Sequence, residues 1–212
     1  MSYKNEFIKF MREAGVLTFG DFVTKSGRNT PYFVNTGNYQ TGDQVGKLGE
    51  FYADCIKENL GDDYVLFGPA YKGIPLVVTT SIALNNKYNI NSSYCFNRKE
   101  AKDHGEGGTM VGYKLKDGDN VIIVEDVITA GTAIRECLPI LKQQANINIV
   151  GLVISVDRME KGTGDKTAIQ EIEEEFGIKT FPIVTVREII DTLEDKEQID
   201  KMEAYLDLYC VK

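Results

Sequence analysis

Short runs of branched apolar residues punctuate this chain, and stretches with helical spacing separate them. Residues 64–67, 121–126, 147–156 and 181–186 hold too many consecutive apolar side chains to alternate between a core and water. Such runs read as strands buried on both faces, the pattern of a parallel sheet covered by helices. A further strand is predicted near 93–97. Between the strands, residues 43–60 place Val45, Leu48, Tyr52, Cys55, Ile56 and Leu60 on one helical face, with Gly61 as a C-terminal stop. Pro75 fits the first turn of a helix running toward Asn86, and residues 132–144 and 167–176 read as two more helices. Tyr3, Phe7, Phe10 and Met11 mark a short amphipathic helix at the N-terminus, and the C-terminus is largely helical. Strands alternating with helices require crossover connections, so the expected class is α/β with a mostly parallel central sheet.

The 212 residues are 42% hydrophobic and contain no repeat or dividing linker, so one domain spanning 1–212 is expected. Lys and Arg total 24 against 32 Asp and Glu, a formal net charge of −8. Without a global positive field, the chain is expected to bind neither nucleic acid nor an anionic membrane. No stretch approaches the roughly 20 apolar residues needed to span a bilayer, and the charged N-terminus does not read as a signal peptide. The four cysteines, Cys55, Cys95, Cys137 and Cys210, are far apart and sit among apolar neighbours. They read as buried free thiols, which points to a reducing cytoplasm.

The segment VIIVEDVITAGTAIRE, residues 121–136, ends a buried strand with two adjacent carboxylates, Glu125 and Asp126. Charge at such a position is costly unless a ligand uses it. The small residues that follow allow a sharp turn whose amides, backed by a helix dipole, suit a phosphate monoester. The two acids would repel that phosphate, but they suit a sugar diol or the waters of a magnesium ion. Together they describe a pocket for a ribose 5-phosphate group. The same composition also fits an acidic turn ahead of an ordinary helix N-terminus. It is neither a dinucleotide fingerprint nor a Walker loop, because GxGxxG and GK[ST] are both missing.

This stretch resembles the phosphoribosyl-pyrophosphate (PRPP) signature of the type I phosphoribosyltransferases. Three other segments narrow the resemblance to the orotate phosphoribosyltransferase family. GPAYKGIPL, residues 68–76, is similar to the family's pyrophosphate loop, whose non-proline cis peptide would fall at Ala70–Tyr71. NRKEAKDHGEGGT, residues 97–109, is similar to its catalytic loop and reads as mobile, with three glycines in its last five residues. TKSGRNTPYFVNTG, residues 24–37, reads as a turn and a short strand, and is similar to the family's pyrimidine-binding segment.

The resemblance implies a type I phosphoribosyltransferase fold, with a mostly parallel sheet flanked by helices and a small N-terminal hood over about residues 1–40. It implies that Lys102, His104 and Asp126 are catalytic. PRPP would meet Lys25, Tyr71, Lys72, Arg98, Lys99, Lys102 and His104, together with Glu125, Asp126, Val127, Ile128, Thr129, Ala130, Gly131, Thr132 and Ala133. Orotate would meet Lys25, the main chain at Phe33 and Val34, Thr129, and Arg158 through its carboxylate. Mg2+ would be held mainly by PRPP and water, with no direct protein ligand. A homodimer is implied, with segment 98–109 reaching the neighbouring active site. Val34 and Glu125 depart from the family's usual aromatic and Asp, which leaves the exact sugar geometry open. A purine-specific enzyme would have no use for the Lys25 segment or Arg158, and a regulatory PRPP-binding module would have none for the cations of 98–104.

Overall fold

The computed structural model describes residues 2–24, 27–102, 108–128, 130–162 and 164–211, without the side chains of residues 101 and 102. Among these residues the chain begins with α1 (Tyr3–Glu13), β1 (Leu17–Val23), β2 (Asn29–Val34), α2 (Gly42–Asn59), β3 (Val65–Gly68) and α3 (Gly73–Tyr88). It continues with β4 (Ser93–Lys102), β5 (Gly108–Gly112), β6 (Asn120–Val124), α4 (Thr132–Gln144) and β7 (Asn148–Asp157). The last elements are α5 (Ala168–Phe176), β8 (Thr180–Thr185), α6 (Val186–Ile190) and α7 (Lys196–Tyr209). The described strands form one six-stranded sheet in the order β5-β4-β3-β6-β7-β8 and a separate β1-β2 ribbon. Every pairing in the large sheet is parallel except β4 with β5 at its edge.

The continuous apolar runs have a direct cause. Successive strand side chains point to opposite faces, and both faces of the sheet are covered. Leu66, Ile122, Val124 and Val153 pack with Tyr52 and Ile56 of α2 and with Val77 and Leu84 of α3. Phe67, Val121, Ile123 and Ile154 pack on the other face with Ile134, Cys137 and Leu141 of α4 and Ile172 of α5. Each fully buried side chain of this size contributes roughly 1.5–3 kcal/mol of transfer free energy. Thr41 caps α2 and Thr167 caps α5, each through a reciprocal bond with the glutamine three residues on. All four cysteines are buried and free. No helix among the described residues is long and apolar enough to cross a membrane.

Two local expectations differ from the structure, and one strand was not anticipated. Strand β4 continues past Asn97 to Lys102, so residues 98–102 belong to a strand rather than a loop, and residues 108 and 109 begin β5. Antiparallel pairing of Asn97 with Met110 and Lys102 with Gly108 satisfies this backbone at a sheet edge, where the side chains need no apolar face. Strand β1 escapes periodicity because a register irregularity between Phe19 and Phe22 breaks the alternation. Helix α2 ends on Leu60 in an extended conformation, so Gly61 is not a left-handed cap.

Candidate active site

The ends of the parallel strands bring the separated motifs together. Phe67 of β3 stands beside Ile123 of β6, and Val124 beside Val153 of β7. The segments after Gly68, Val124 and Asp157 therefore leave the sheet along its carboxyl edge, where ligands of open α/β sheets bind. Glu125 and Asp126 are each only 8% exposed. Their backbone is clamped from both sides. The Tyr52 hydroxyl donates to the Glu125 carbonyl at 2.7 Å, and the Ser155 hydroxyl and amide donate to the Asp126 carbonyl at 2.6 and 2.9 Å.

The two side chains have different surroundings. Glu125 Oε1 accepts the Asp126 amide at 3.0 Å. Burial, reinforced by hydrogen bonding and repulsion from Asp126, pushes the Glu125 carboxyl up to about 8. Asp126 Oδ1 accepts the Val127 amide at 2.7 Å, while Oδ2 accepts from Lys72 Nζ at 2.7 Å and Thr36 Oγ1 at 2.8 Å. Burial opposes its ionisation as well, but hydrogen bonds from Glu125, Lys72 and Thr36 prevail and hold this carboxyl below its ordinary value. Burial thus favours the neutral form of Glu125, while the Lys72 and Thr36 hydrogen bonds favour the charged form of Asp126. Asp126, Lys72 and Thr36 line a cavity of about 210 Å³ whose remaining wall includes Tyr39, Leu48 and Leu76. Asp126 therefore faces a cleft, whereas the Glu125 carboxyl turns toward its neighbour's backbone.

The Gly68–Gly73 segment is built by close approach. A Cβ on Gly68 would stand 2.2 Å from the Gly73 carbonyl oxygen, and one on Gly73 would stand 2.6 Å from Pro69. The Ala70–Tyr71 peptide is cis, as the family resemblance implied. Asn97 Oδ1 accepts the Ala70 amide at 2.9 Å, which ties this turn to β4. Tyr71 is 70% exposed, and Lys99 Nζ lies 5.7 Å from its ring centroid. Tyr71, Lys72 and Lys99 are thereby assembled around one turn beside Asp126. Arg98 is half-buried in β4, and the main chain of Lys102 pairs with Gly108. The Lys102 side chain and His104 lie outside the described residues, as do Lys25 and Thr129.

Beyond Asp126, Val127 and Ile128 are half-buried, with Ile128 packed against the α4 face of the core. The Ala130 carbonyl accepts Arg135 Nη1 at 2.6 Å. Gly131 adopts the left-handed conformation at φ 69° and opens α4 without any side-chain cap, followed by exposed Thr132 and Ala133. The first-turn amides of such a helix retain their capacity for an anion.

Strand β2 joins this turn region to Arg158. Thr36, just past the strand, donates to Asp126, while Tyr32 within it carries the Arg158 guanidinium 4.5 Å above its ring. Phe33 and Val34 lie between them, Phe33 exposed and Val34 half-buried, with their pairing to β1 on one strand edge. Arg158 also binds Glu160 Oε1 through Nε at 2.7 Å and Nη2 at 2.5 Å. Thr36, Tyr32, Glu160 and Asn97 were not anticipated as site residues. Only Glu160 carried a signal, as a carboxylate two positions from an arginine after a strand.

A buried acid pair, an uncapped helix start and a cationic turn thus meet at one sheet edge. Residues 35–186 match the family described as phosphoribosyl transferase domain, to which the chain belongs. It is 66% identical to an orotate phosphoribosyltransferase of Clostridium beijerinckii over 92% of this chain and 88% of that relative. An orotate phosphoribosyltransferase of Photorhabdus laumondii is 49% identical over 96% of each chain. The crystal structure of orotate phosphoribosyltransferase from Francisella tularensis superposes with a TM-score of 0.87 at 40% identity, covering 97% of this chain and 99% of that one. Within its family, the chain belongs with the orotate phosphoribosyltransferases.

Proposed function

We propose that the chain transfers the ribose 5-phosphate group of PRPP to orotate, giving orotidine 5′-monophosphate and pyrophosphate in pyrimidine nucleotide synthesis. The observation that carries this reading is the buried Asp126 carboxylate, which accepts from Lys72 and Thr36 in a cleft ahead of the uncapped start of α4. In this reading the ribose hydroxyls bond to Asp126 on the cleft, with Glu125 behind it, and the 5-phosphate rests on the amides of residues 130–133 and the Thr132 hydroxyl. By the family resemblance Thr129 is assigned to both PRPP and orotate.

Lys72 has a double role. Its ammonium neutralises Asp126 in the structure, and its side chain is 63% exposed, so leaving that partner costs little. A diol donating to Asp126 would free Lys72 for the pyrophosphate, where Tyr71, Lys99, Arg98, Lys102 and His104 add contacts. Bond-breaking at the anomeric carbon runs ahead of bond-making and produces an oxocarbenium-like state. Orotate is already anionic at its nucleophilic side, so positioning and stabilisation of the leaving group are the protein's main tasks. The main chain at Phe33 and Val34, with Lys25, orients the pyrimidine ring, and Arg158 takes its carboxylate.

The donor set fits magnesium as an outer partner. Asp126 on the cleft is an acceptor for metal-bound water, whereas Glu125, turned to the Asp126 amide, is poorly placed as a ligand. Bound with PRPP, magnesium supplies charge neutralisation of the departing pyrophosphate. We further propose a single domain over 1–212, because one core unites Phe7 with Cys210. We propose a cytoplasmic homodimer in which segment 98–109, strand ends included, serves the neighbouring active site.

Mixing the protein with magnesium, PRPP and orotate and following the loss of orotate absorbance tests the activity. Adenine, guanine, hypoxanthine and uracil are run in parallel. Consumption of orotate alone is the expected result, and turnover of a purine with orotate inert overturns the substrate assignment.

A further inference from the structure

Arg158 does not stand alone over Tyr32. Glu160 Oε1 receives three donors: Arg158 Nε at 2.7 Å, Arg158 Nη2 at 2.5 Å and the Tyr205 hydroxyl at 2.6 Å. Glu160 Oε2 lies 4.0 Å from Nη1 of Arg28, which itself donates to the Lys161 carbonyl at 3.2 Å. The Tyr205 ring meets the Tyr32 ring edge-on with centroids 5.8 Å apart, so the platform beneath Arg158 and the anchor of Glu160 are braced together.

A guanidinium offers several donor edges, and a lone arginine can present any of them. Here Tyr32 covers a face and Glu160 engages the Nε/Nη2 edge, which leaves the Nη1 end for a ligand. We propose that Glu160 is a positioning residue: it fixes the orientation in which Arg158 receives the substrate carboxylate, and it sets the preference for carboxylated over carboxylate-free pyrimidines. This inference rests on the reading that Arg158 meets the orotate carboxylate. A purely structural account of Glu160 is less apt, since the backbone here is held independently. The Lys161 amide donates to the Tyr209 carbonyl at 2.9 Å, and Glu160 bridges Cys210 through the main chain.

Two nucleotides that differ only in the carboxylate, orotidine 5′-monophosphate and uridine 5′-monophosphate, provide the probe. Calorimetric affinities for both are measured on the full chain, on Glu160→Gln, on Arg158→Ala and on the double variant. Glu160→Gln is expected to weaken orotidine 5′-monophosphate about 10-fold, as for weakening one hydrogen bond between charged groups, and to leave uridine 5′-monophosphate unchanged. In the Arg158→Ala background Glu160→Gln should alter the ratio no further. If Arg158→Ala leaves the ratio intact, the reading of Arg158 itself fails. If Arg158→Ala collapses the ratio but Glu160→Gln does not, or if Glu160→Gln weakens both nucleotides equally, the positioning role is overturned. Should Glu160→Gln fail to fold, Tyr205→Phe removes only one donor to the same oxygen and is expected to lower the ratio about 2- to 5-fold. An unchanged ratio in Tyr205→Phe counts against the proposal.

Discussion

Lys72 Nζ lies 2.7 Å from Asp126 Oδ2, joining residues 54 positions apart across two strand ends. The pair is asymmetric, with the lysine side chain 63% exposed and the aspartate 11%. An ion pair with so exposed a cation contributes at most about 1 kcal/mol to folding. Lys72→Ala should therefore lower the melting temperature by no more than about 2–4 °C, while kcat/KM for PRPP falls about 100-fold. Thermal melts and initial rates separate the two effects. A large loss of stability with unchanged PRPP kinetics would make the lysine a structural prop.

Glu125 links the same site to pH. Its folded carboxyl is raised from 4.5 to about 8 by burial and by Asp126. A group whose folded pKa is raised stabilises the protein fully below its unfolded value and loses that contribution as pH rises through the folded one. Asp126, held low, has the opposite sign and destabilises only when acid protonates it. Wild-type stability should therefore decline between pH 5 and pH 8, a decline that Glu125→Gln, fixed in the neutral form, flattens. Melting temperatures measured across that window check this, and parallel profiles for the two proteins would mean that Glu125 is ionised throughout.

The leaving pyrophosphate is assigned to cations from two segments, Lys72 with Lys99 near Tyr71 and Lys102 farther along β4. If Lys102 acts on the transition state, Lys102→Ala should lower kcat about 100- to 1,000-fold and leave the dissociation constant of orotate within about 3-fold. Comparable losses in binding with turnover preserved would assign it to ground-state recognition instead.

The fold was readable because its strongest signal is local. Strands such as β6 and β7 are apolar on both faces, since α2 and α3 cover one and α4 and α5 the other. Edge elements give no such signal. The strand character of Arg98–Lys102 comes from pairing with β5, which no property of those side chains encodes. The site divides in the same way. Glu125 and Asp126 stood out because charge directly after a buried strand demands a reason, whereas Arg158 was named by the family resemblance alone. Thr36, Tyr32 and Tyr205 become site residues only when β2 and α7 meet the sheet edge, a long-range event that composition does not report.

Gly68 offers the sharpest test of how the cationic turn is made. It closes β3, and a methyl group there would meet the Gly73 carbonyl oxygen at 2.2 Å and Val77 Cγ1 at 2.8 Å. Neither neighbour can give way cheaply, because Gly73 begins α3 and Val77 is fully buried beneath it. Gly68→Ala must therefore push the start of α3 away from the strand, at a cost of about 1–3 kcal/mol typical of overpacking. Lys72 precedes that helix directly, so the displacement should also carry its ammonium away from Asp126. Denaturant unfolding should show the loss of stability, and PRPP affinity should fall while orotidine 5′-monophosphate retains the Arg158 part of its binding. A variant with wild-type stability and PRPP affinity would show that the turn does not depend on this contact.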